Sequence, residues 1–219
     1  MATAIILAAG DSVRMKAVKP LMPWNGLPFI EHVCRALRQA GIRRRIAVLG
    51  RRHKEILQAW QPQGEHIAIN PKPEDGQLSS LRAGLAYMTA NPAIFGGDNA
   101  GGIMICLADQ PLIKAETYSA VWRCAKNNPG SIIIPRVPRP NRQPDDPPYK
   151  RGHPIIIPQN LVHLCLEGPL DKGLHWATHH PAAKVLDLDV ADPAIIRDFD
   201  TPEAYQALLA EFGVSGNKS

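Results

Sequence analysis

The first cationic side chains in the chain follow a short apolar run and a glycine. Segment 4–21 reads AIILAAGDSVRMKAVKPL, with Gly10 at the end of the run and Arg14 and Lys19 beyond it. Such a run is typical of a buried parallel strand, and open α/β sheets bind ligands at the carboxyl ends of their strands. Gly10 would let backbone N–H groups approach an anion, while Arg14 and Lys19 supply positive charge. The segment therefore predicts a phosphate site.

The same spacing equally fits a strand followed by a solvated basic turn. It matches neither G-x-x-x-x-G-K-[ST] nor G-x-G-x-x-G, so the segment is not an ordinary P-loop or a dinucleotide fingerprint. The missing dinucleotide pattern also disfavours a nicotinamide-dependent oxidoreductase.

Asp109 follows a second strongly apolar run, residues 103–108. Its carboxylate is expected at the same edge of the sheet as the first loop. A carboxylate beside substrate phosphates is the usual protein ligand of Mg²⁺, which keeps several waters. The alternative is a turn in which Asp109 bonds to nearby backbone and Pro111 completes the turn.

Further candidates lie in the second half of the chain. Asp198 and Asp200 precede a predicted terminal helix and either add a carboxylate to a metal site or act as helix-entry charges. His153, expected as an exposed imidazole, either meets a substrate or has a structural role. Segment 135–152 contains six prolines and four arginines, a composition that resists regular structure. Its arginines could bind an acidic acceptor, although solvation of a mobile loop explains most of them.

Length and composition limit the class of protein. The 219 residues, 45% of them apolar, can form one α/β domain over 1–219. A net charge of +5 favours anionic ligands. Aromatic residues make up only 5%, and no nucleic-acid-binding motif is present, so nucleic acid is not expected as a partner. No apolar run is long enough to span a membrane, and the four scattered cysteines form no C-x-x-C pair, which favours a cytoplasmic protein with reduced thiols.

Strand and helix patterns alternate along the chain. Strands are predicted at 5–7, 45–49, 66–70, 103–108, 131–134, 153–157 and 185–188. Helices are predicted at 28–40, 54–60, 114–127, 159–166 and 171–179, with two more starting at a Ser79 or Ser80 cap and at Thr201. This order predicts a Rossmann-like, doubly wound α/β fold whose mostly parallel sheet carries helices on both faces.

Five segments in order resemble one known family over nearly the whole chain. They are LAAGDSVRMKAVKPL from Leu7, GQLSSL from Gly76, LADQP from Leu107, RGHP from Arg151 and DFDTPEAY from Asp198. Together they resemble the molybdenum cofactor cytidylyltransferases and their guanylyltransferase relatives, within the sugar-nucleotide-type nucleotidyltransferases. The resemblance implies the nucleotide-diphospho-sugar transferase type of fold.

The resemblance also implies roles for individual residues. Catalysis would rest on Arg14, Lys19 and Asp109. Nucleotide binding would involve Leu7, Ala8, Ala9, Gly10, Ser12, Arg14, Lys19, Gly76, Ser79 and Ser80. The acceptor would meet Gly152, His153 and Asp198, and Mg²⁺ would be held by Asp109 and Asp200. The implied partners are a nucleoside triphosphate, an anionic acceptor of molybdopterin type, and a molybdoenzyme or its chaperone.

Some positions bear on which substrates are used. Ala9, in LAAG where guanylyl relatives more often have LAGG, favours CTP. Four positions depart from the family pattern and leave other functions open, namely Lys16, Val18, Leu78 and His175. These other functions are guanylyl transfer, transfer to a sugar or polyol phosphate, and a carrier that binds its ligand without converting it.

Overall fold

A computed structural model describes residues 2–10, 17–96 and 102–211 of the 219-residue chain. Within these residues ten strands follow in chain order: β1 (Thr3–Ala8), β2 (Pro23–Trp24), β3 (Leu27–Pro28), β4 (Arg44–Leu49), β5 (His66–Ile69), β6 (Ile103–Leu107), β7 (Ser131–Pro138), β8 (Tyr149–Arg151), β9 (Ile155–Ile157) and β10 (Lys184–Asp189).

The helices of the described residues alternate with these strands. They are α1 (Phe29–Gln39), α2 (His53–Ala59), α3 (Gln77–Ala90), α4 (Pro92–Phe95), α5 (Ala115–Asn127), α6 (Val162–Glu167), α7 (Gly173–Thr178) and α8 (Pro202–Glu211). Short 3-10 helices add single turns at Lys19–Leu21, Pro73–Asp75, Gln159–Leu161, Leu170–Lys172 and Pro193–Ile196.

The central sheet has the order β10-β7-β9-β6-β1-β4-β5, with β8 paired to β7 outside this path. Strands β5, β4, β1 and β6 are parallel, and β10 is parallel to β7. Only β9, between β6 and β7, and the short β8 run antiparallel to their neighbours in the sheet as described. The predicted Rossmann-like, mostly parallel sheet is confirmed.

Two apolar cores cover the two faces of the sheet. One core packs α1, α2 and α5 against side chains such as Ile6 and Met104, while the other packs α3, α6 and α7 against Ile5 and Ile105. Neighbouring strand residues alternate between the cores because successive side chains point to opposite faces. The helices therefore lie on both sides, as the alternation of strand and helix patterns predicts.

Helix α3 lies unusually close to the sheet. A Cβ added at Gly84 would lie 2.8 Å from Ile5 Cγ2 and 3.1 Å from Val48 Cγ2. Such contacts are shorter than side chains tolerate, so the glycine permits the close approach. This packing fixes the middle of α3 against β1 and β4.

The predicted serine cap of α3 is wrong. Helix α3 begins at Gln77 with Gly76 as its N-cap residue, and neither Ser79 nor Ser80 caps it. Gly76 has φ +89°, a backbone conformation that glycine adopts without strain. The required backbone angle, rather than a side-chain acceptor, decides where the helix starts.

Segment 135–152 contains regular structure, against the prediction. Strand β7 continues to Pro138, and β8 pairs with it in antiparallel register from Arg136–Arg151 to Pro138–Tyr149. Prolines are tolerated in such a two-stranded edge because its outer backbone groups need no partner. Strand β9 likewise begins only at Ile155, two residues after the predicted start.

No helix in the described part of the chain has both the length and the apolar character required to cross a bilayer. The four cysteines are free thiols, three of them buried.

Candidate functional site

The carboxyl ends of β1 and β6 border a cavity of about 740 Å³. Its lining comes from five parts of the chain, namely the end of β1, the turn at Lys19, the residue Arg51 after β4, the segment that leads into α3, and the end of β6. The lining residues are Leu7, Ala8, Ala9, Gly10, Lys19, Pro20, Arg51, Pro73, Glu74, Gly76, Gln77, Ser80, Leu107, Ala108 and Asp109. The position agrees with the rule that open α/β sheets bind ligands at this edge.

Lys19 lies on a short, well-defined turn. It begins the 3-10 helix Lys19–Leu21, where Leu21 N donates to Val18 O at 2.8 Å and Met22 N donates to Lys19 O at 3.0 Å. Its Nζ lies 3.5 Å from Asp109 Oδ2 and forms a close ion pair with Asp200 Oδ1. One cation therefore bridges two carboxylates that come from different parts of the chain.

Asp109 stands in the turn that ends β6. Ala108 N donates to Leu7 O at 3.1 Å, which ties this turn to the end of β1. Burial raises the pKa of the Asp109 carboxyl, Lys19 lowers it, and the nearby charges of Asp200 and Asp198 raise it again. The net direction is upward, so the site disfavours an uncompensated negative charge at this position.

Asp200 reaches the site because its neighbour in the chain is anchored. Phe199 is 2% exposed, and its ring centroid lies 5.5 Å from that of Phe29 at the start of α1. Thr201 then starts α8, with Thr201 Oγ1 accepting from Ala204 N at 3.2 Å, as predicted for an N-cap. Asp198 is exposed and does not line the cavity.

The segment that leads into α3 is organised by Asn70, a residue that the sequence analysis missed. Asn70 is 3% exposed. Its Nδ2 donates to Ser79 Oγ at 2.8 Å and to Ser80 Oγ at 3.0 Å, while its Oδ1 accepts from Lys72 N at 2.9 Å. Asn70 therefore joins the end of β5 to both the following loop and the first turn of α3.

The two serines differ in their surroundings. Ser79 Oγ can donate to Gly76 O at 2.8 Å or to Lys72 O at 3.0 Å, and Ser79 does not line the cavity. Ser80 is 5% exposed and does line it. Ser80 Oγ accepts a hydrogen bond from Asn70, so its hydroxyl hydrogen remains available for a ligand.

Arg51 and Glu74 are two further cavity residues without a sequence prediction. Arg51 Nη2 lies 2.8 Å from Glu74 Oε1, and both side chains are about half exposed. Arg51 follows β4 just as Asp109 follows β6, and Asn70 directly follows β5. The rule that identified Asp109, a polar residue at the end of an apolar strand, would have identified Arg51 and Asn70 as well.

The sequence carries a decisive match to a known family. Residues 4–184 match the MobA-like NTP transferase domain. The chain belongs to the MobA-like NTP transferase family. The match does not distinguish the molybdenum cofactor cytidylyltransferases from other members of this family.

This NTP transferase chain is similar to longer proteins as well. It is 31% identical over 164 residues to the bifunctional protein GlmU of Rhodospirillum rubrum, an alignment that covers 72% of the chain and 32% of GlmU. The chain thus spans about a third of the length of this curated relative.

Solved structures share the fold of the NTP transferase chain. Rv0371c of Mycobacterium tuberculosis H37Rv aligns with TM-score 0.75 and 24% identity, over 96% of this chain and 99% of that one. Its complex with manganese aligns with TM-score 0.70 and 23% identity, over 95% and 97%. A CMP:2-keto-3-deoxy-manno-octonic acid synthetase complexed with CTP aligns with TM-score 0.68 and 15% identity, over 97% and 98%.

Two donors suit a divalent cation at the edge of the cavity. Asp109 and Asp200 already share the cation of Lys19, so the position attracts positive charge. The residues that the structure describes contain no group of three or more His, Cys, Asp or Glu side chains arranged for a metal. Mg²⁺ usually takes one or two protein carboxylates and completes its shell with water and phosphate oxygens. A two-carboxylate site therefore fits Mg²⁺ or Mn²⁺ held together with a bound phosphate.

The predicted acceptor residues Gly152 and His153 lie at the end of β8, outside the cavity lining. A Cβ at Gly152 would lie 2.0 Å from Ile195 O, so packing against backbone accounts for this glycine. The expected exposed imidazole is wrong. His153 Nε2 is buried without a hydrogen-bond partner among the described residues, and burial lowers its pKa to about 4.

Two of the predicted phosphate ligands, Ser12 and Arg14, lie outside the described residues, together with Lys16. Of the other residues predicted to bind nucleotide, Ser79 stands apart. Leu7, Ala8, Ala9, Gly10, Lys19, Gly76 and Ser80 all line the one cavity.

Proposed function

We propose that this chain transfers a nucleoside monophosphate from a nucleoside triphosphate to an acceptor that carries a phosphate, with release of pyrophosphate. The observation that carries the proposal is the meeting of Lys19, Asp109 and Asp200 beside a cavity of about 740 Å³. Membership of the MobA-like NTP transferase family supports it. The cavity volume lies within the range of small-molecule sites, roughly 300–1,000 Å³.

In the proposed reaction, an oxygen of the acceptor phosphate attacks the α-phosphorus of the nucleotide. A new oxygen–phosphorus bond forms, the bond from the α-phosphorus to the bridging oxygen breaks, and pyrophosphate leaves in line. The acceptor phosphate is already ionised near neutral pH, so the site needs no strong general base. The barrier arises mainly from bringing two anions together and from the charge that the leaving group gains.

The residues of the site would reduce this repulsion and stabilise the charge on the leaving group. Lys19 would turn from the carboxylates to the nucleotide phosphates, and Arg14 would add a second cation. Asp109 and Asp200 would hold Mg²⁺, which supplies positive charge to phosphate oxygens when it is bound. Ser80 would donate its hydroxyl hydrogen to the ribose or base, and Gly76 would allow close approach of the triphosphate.

For the substrates, we propose CTP and an acceptor of molybdopterin type, with delivery of the product to a molybdoenzyme or its chaperone. Ala9, which lines the cavity, supports cytosine through the LAAG pattern. The structural neighbour that holds CTP supports the same base. Sugar-phosphate acceptors form a second candidate class, favoured by the 31% identity to GlmU.

Two measurements test the proposal. The melting temperature of the full chain, recorded with Mg²⁺ and each of CTP, GTP, UTP and ATP, should rise most with CTP, because a ligand that binds only the folded state stabilises it. Pyrophosphate release should then require both that nucleotide and an acceptor, with molybdopterin tested beside a panel of sugar and polyol phosphates. Binding of nucleotide without pyrophosphate release for any acceptor would indicate a carrier instead.

A further inference from the structure

A two-stranded arm extends from the sheet at the same edge as the cavity. We call residues 136–151 the basic arm. Its strands β7 and β8 pair from Arg136–Arg151 to Pro138–Tyr149, and Arg139 N donates to Pro148 O at 2.9 Å beyond the last strand pair. At the tip, Asp146 N donates to Gln143 O at 3.1 Å. The arm is therefore a hydrogen-bonded hairpin at its base, and most of its residues are exposed.

The basic arm borders a second cavity, of about 380 Å³. Four of its lining residues are cationic and one is anionic. The lining residues are Arg136, Arg139, Pro147, Pro148, Tyr149, Lys150, Arg151 and Asp187. The excess of positive charge favours an anionic ligand.

The positive charge of this second cavity is only partly neutralised. Asp187 accepts from Arg151 Nε at 2.7 Å and from Arg136 Nη1 at 3.3 Å. Arg136 also donates to Asp189 at 2.6 Å. Arg139 has no ion pair within the described residues, and its Nε donates only to Pro147 O at 3.1 Å. The guanidinium of Arg139 therefore keeps donors available for a ligand.

The aromatic ring in the second cavity is held in place by a cation. Arg136 lies over the ring of Tyr149, with its Cζ 4.2 Å from the ring centroid. Two carboxylates fix the same guanidinium from the β10 side. The walls of the cavity are thus ordered before any ligand binds, which lowers the entropic cost of binding.

Strand register gives the lateral spacing between the base of the basic arm and the strand that leads to Asp109. Ile156 of β9 pairs with both Met104 of β6 and Ile133 of β7, so these two residues lie at the same level of the sheet. Arg136 follows Ile133 by three residues, and Asp109 follows Met104 by five. Strands β6 and β7 are separated by β9 alone, so the base of the arm lies two strand spacings, or about 10 Å, from the strand that leads to Asp109.

We propose that the second cavity binds an anionic group of the acceptor, about 10 Å from the acceptor phosphate that attacks the nucleotide. This inference rests on the proposed function and names a property of the acceptor, namely a second negative charge at that separation. Arg139 is the primary ligand, while Arg136 and Arg151 shape the cavity through their ion pairs. A nucleotide cannot satisfy this site alone, because its own phosphates are held at the first cavity.

The test measures binding of two probes to the full chain by calorimetry in the presence of Mg²⁺. One probe is a bisphosphonate whose two groups are joined by an eight-carbon chain, and the other is the monophosphonate with the same chain. The second charged group should tighten binding about ten-fold, the effect of one added charge-assisted contact on a linked ligand. Arg139→Gln should remove this gain. Equal affinities of the two probes for the unmodified chain would overturn the proposal.

Arg142→Gln is the matched control. Arg142 lies on the same arm, and its Nε also donates to a backbone carbonyl, that of Asp146 at 3.0 Å, but it does not line the second cavity. The control should retain the ten-fold gain. An equal loss in both variants would mean that general charge on the arm, and not a site, attracts the probe, which would contradict the proposal.

Pyrophosphate release separates this inference from the proposed function. A gain that depends on Arg139 in a protein that never releases pyrophosphate would support the anion site and reject nucleotidyl transfer. Pyrophosphate release with no difference between the two probes would support the transfer and reject the role of the arm. A third outcome would also reject the acceptor site. If the bisphosphonate binds no more tightly than the monophosphonate, but Arg139→Gln weakens binding of an acidic protein, the second cavity binds a protein and not the acceptor.

Discussion

Lys19 Nζ lies 3.5 Å from Asp109 Oδ2 and pairs closely with Asp200, so a lysine fills the space between two carboxylates proposed to hold a metal. This arrangement offsets part of the carboxylate charge while nucleotide is absent. Side chains of opposite charge at this range attract by several kcal/mol where the effective dielectric constant is about 20. Entry of a divalent cation would therefore require Lys19 to leave, and the phosphates of the nucleotide offer it a new partner.

The first prediction concerns this competition. Lys19→Met should bind Mn²⁺ about ten-fold more tightly than the unmodified chain when no nucleotide is present, because the competing cation is gone. The free Mn²⁺ signal in electron paramagnetic resonance measures this affinity. Lys54→Met, an exposed lysine on α2, is the control and should leave the affinity unchanged. Weaker Mn²⁺ binding in Lys19→Met would contradict the competition. The same variant should bind nucleotide less tightly and melt at a lower temperature, because Asp109 and Asp200 lose their shared cation.

The second prediction concerns the proposed metal ligand. Asp109→Asn should fold normally and lose on the order of 10² to 10³ in the rate of pyrophosphate release, by comparison with loss of a single electrostatic contact in other enzymes. Its amide cannot replace the charge of the carboxylate. Asp171→Asn, an exposed carboxylate outside the cavity, is the control for the change of side chain. Full activity in Asp109→Asn would refute its role.

The third prediction separates two adjacent serines. Ser80→Ala should weaken nucleotide binding about ten-fold, because the hydroxyl faces the cavity. Ser79→Ala should instead lower the free energy of unfolding by about 1 kcal/mol and spare nucleotide binding, because its hydroxyl donates to the loop backbone. Calorimetric titration and urea unfolding measure the two effects. The opposite assignment of effects would show that the cavity lining does not predict the ligand contacts.

The same measurements apply to Asn70. Asn70→Ala removes three hydrogen bonds at once, one of them buried, and should lower both the stability and the nucleotide affinity. An unchanged nucleotide affinity would show that Ser80 does not need the hydrogen bond from Asn70 to bind nucleotide.

The fourth prediction concerns pH. Burial lowers the pKa of His153 to about 4 in the folded chain, below its ordinary value of 6.5. The unfolded chain therefore binds more protons between these two values, so the contribution of His153 to stability is present above pH 6.5 and is lost as the pH falls towards 4. The loss amounts to about 3 kcal/mol at most. Urea unfolding at several pH values should show that the unfolding free energy of the unmodified chain falls relative to that of His153→Phe as the pH drops across this window. A constant difference would show that the imidazole charges freely in the folded state.

The sequence by itself determined seven of the eight strands of the central sheet and the family to which the chain belongs. Apolar runs such as those of β1 and β6 can be predicted as buried strands from the local sequence, because both faces of each strand are apolar. Polar residues at the ends of those runs, Asp109 among them, could be placed at the carboxyl edge by the same local rule. The seven predicted nucleotide-binding residues that line the cavity follow from the family motifs.

Only the tertiary structure decided which side chains meet. The bridge from Lys19 to Asp109 and Asp200 depends on where Phe199 is anchored, and the role of Asn70 depends on the loop that returns to α3. The basic arm forms because β8 pairs with the end of β7, and the burial of His153 Nε2 likewise depends on how the chain packs around it. Each of these contacts joins residues far apart in the chain. Their energy depends on strand order and packing, which local composition does not encode.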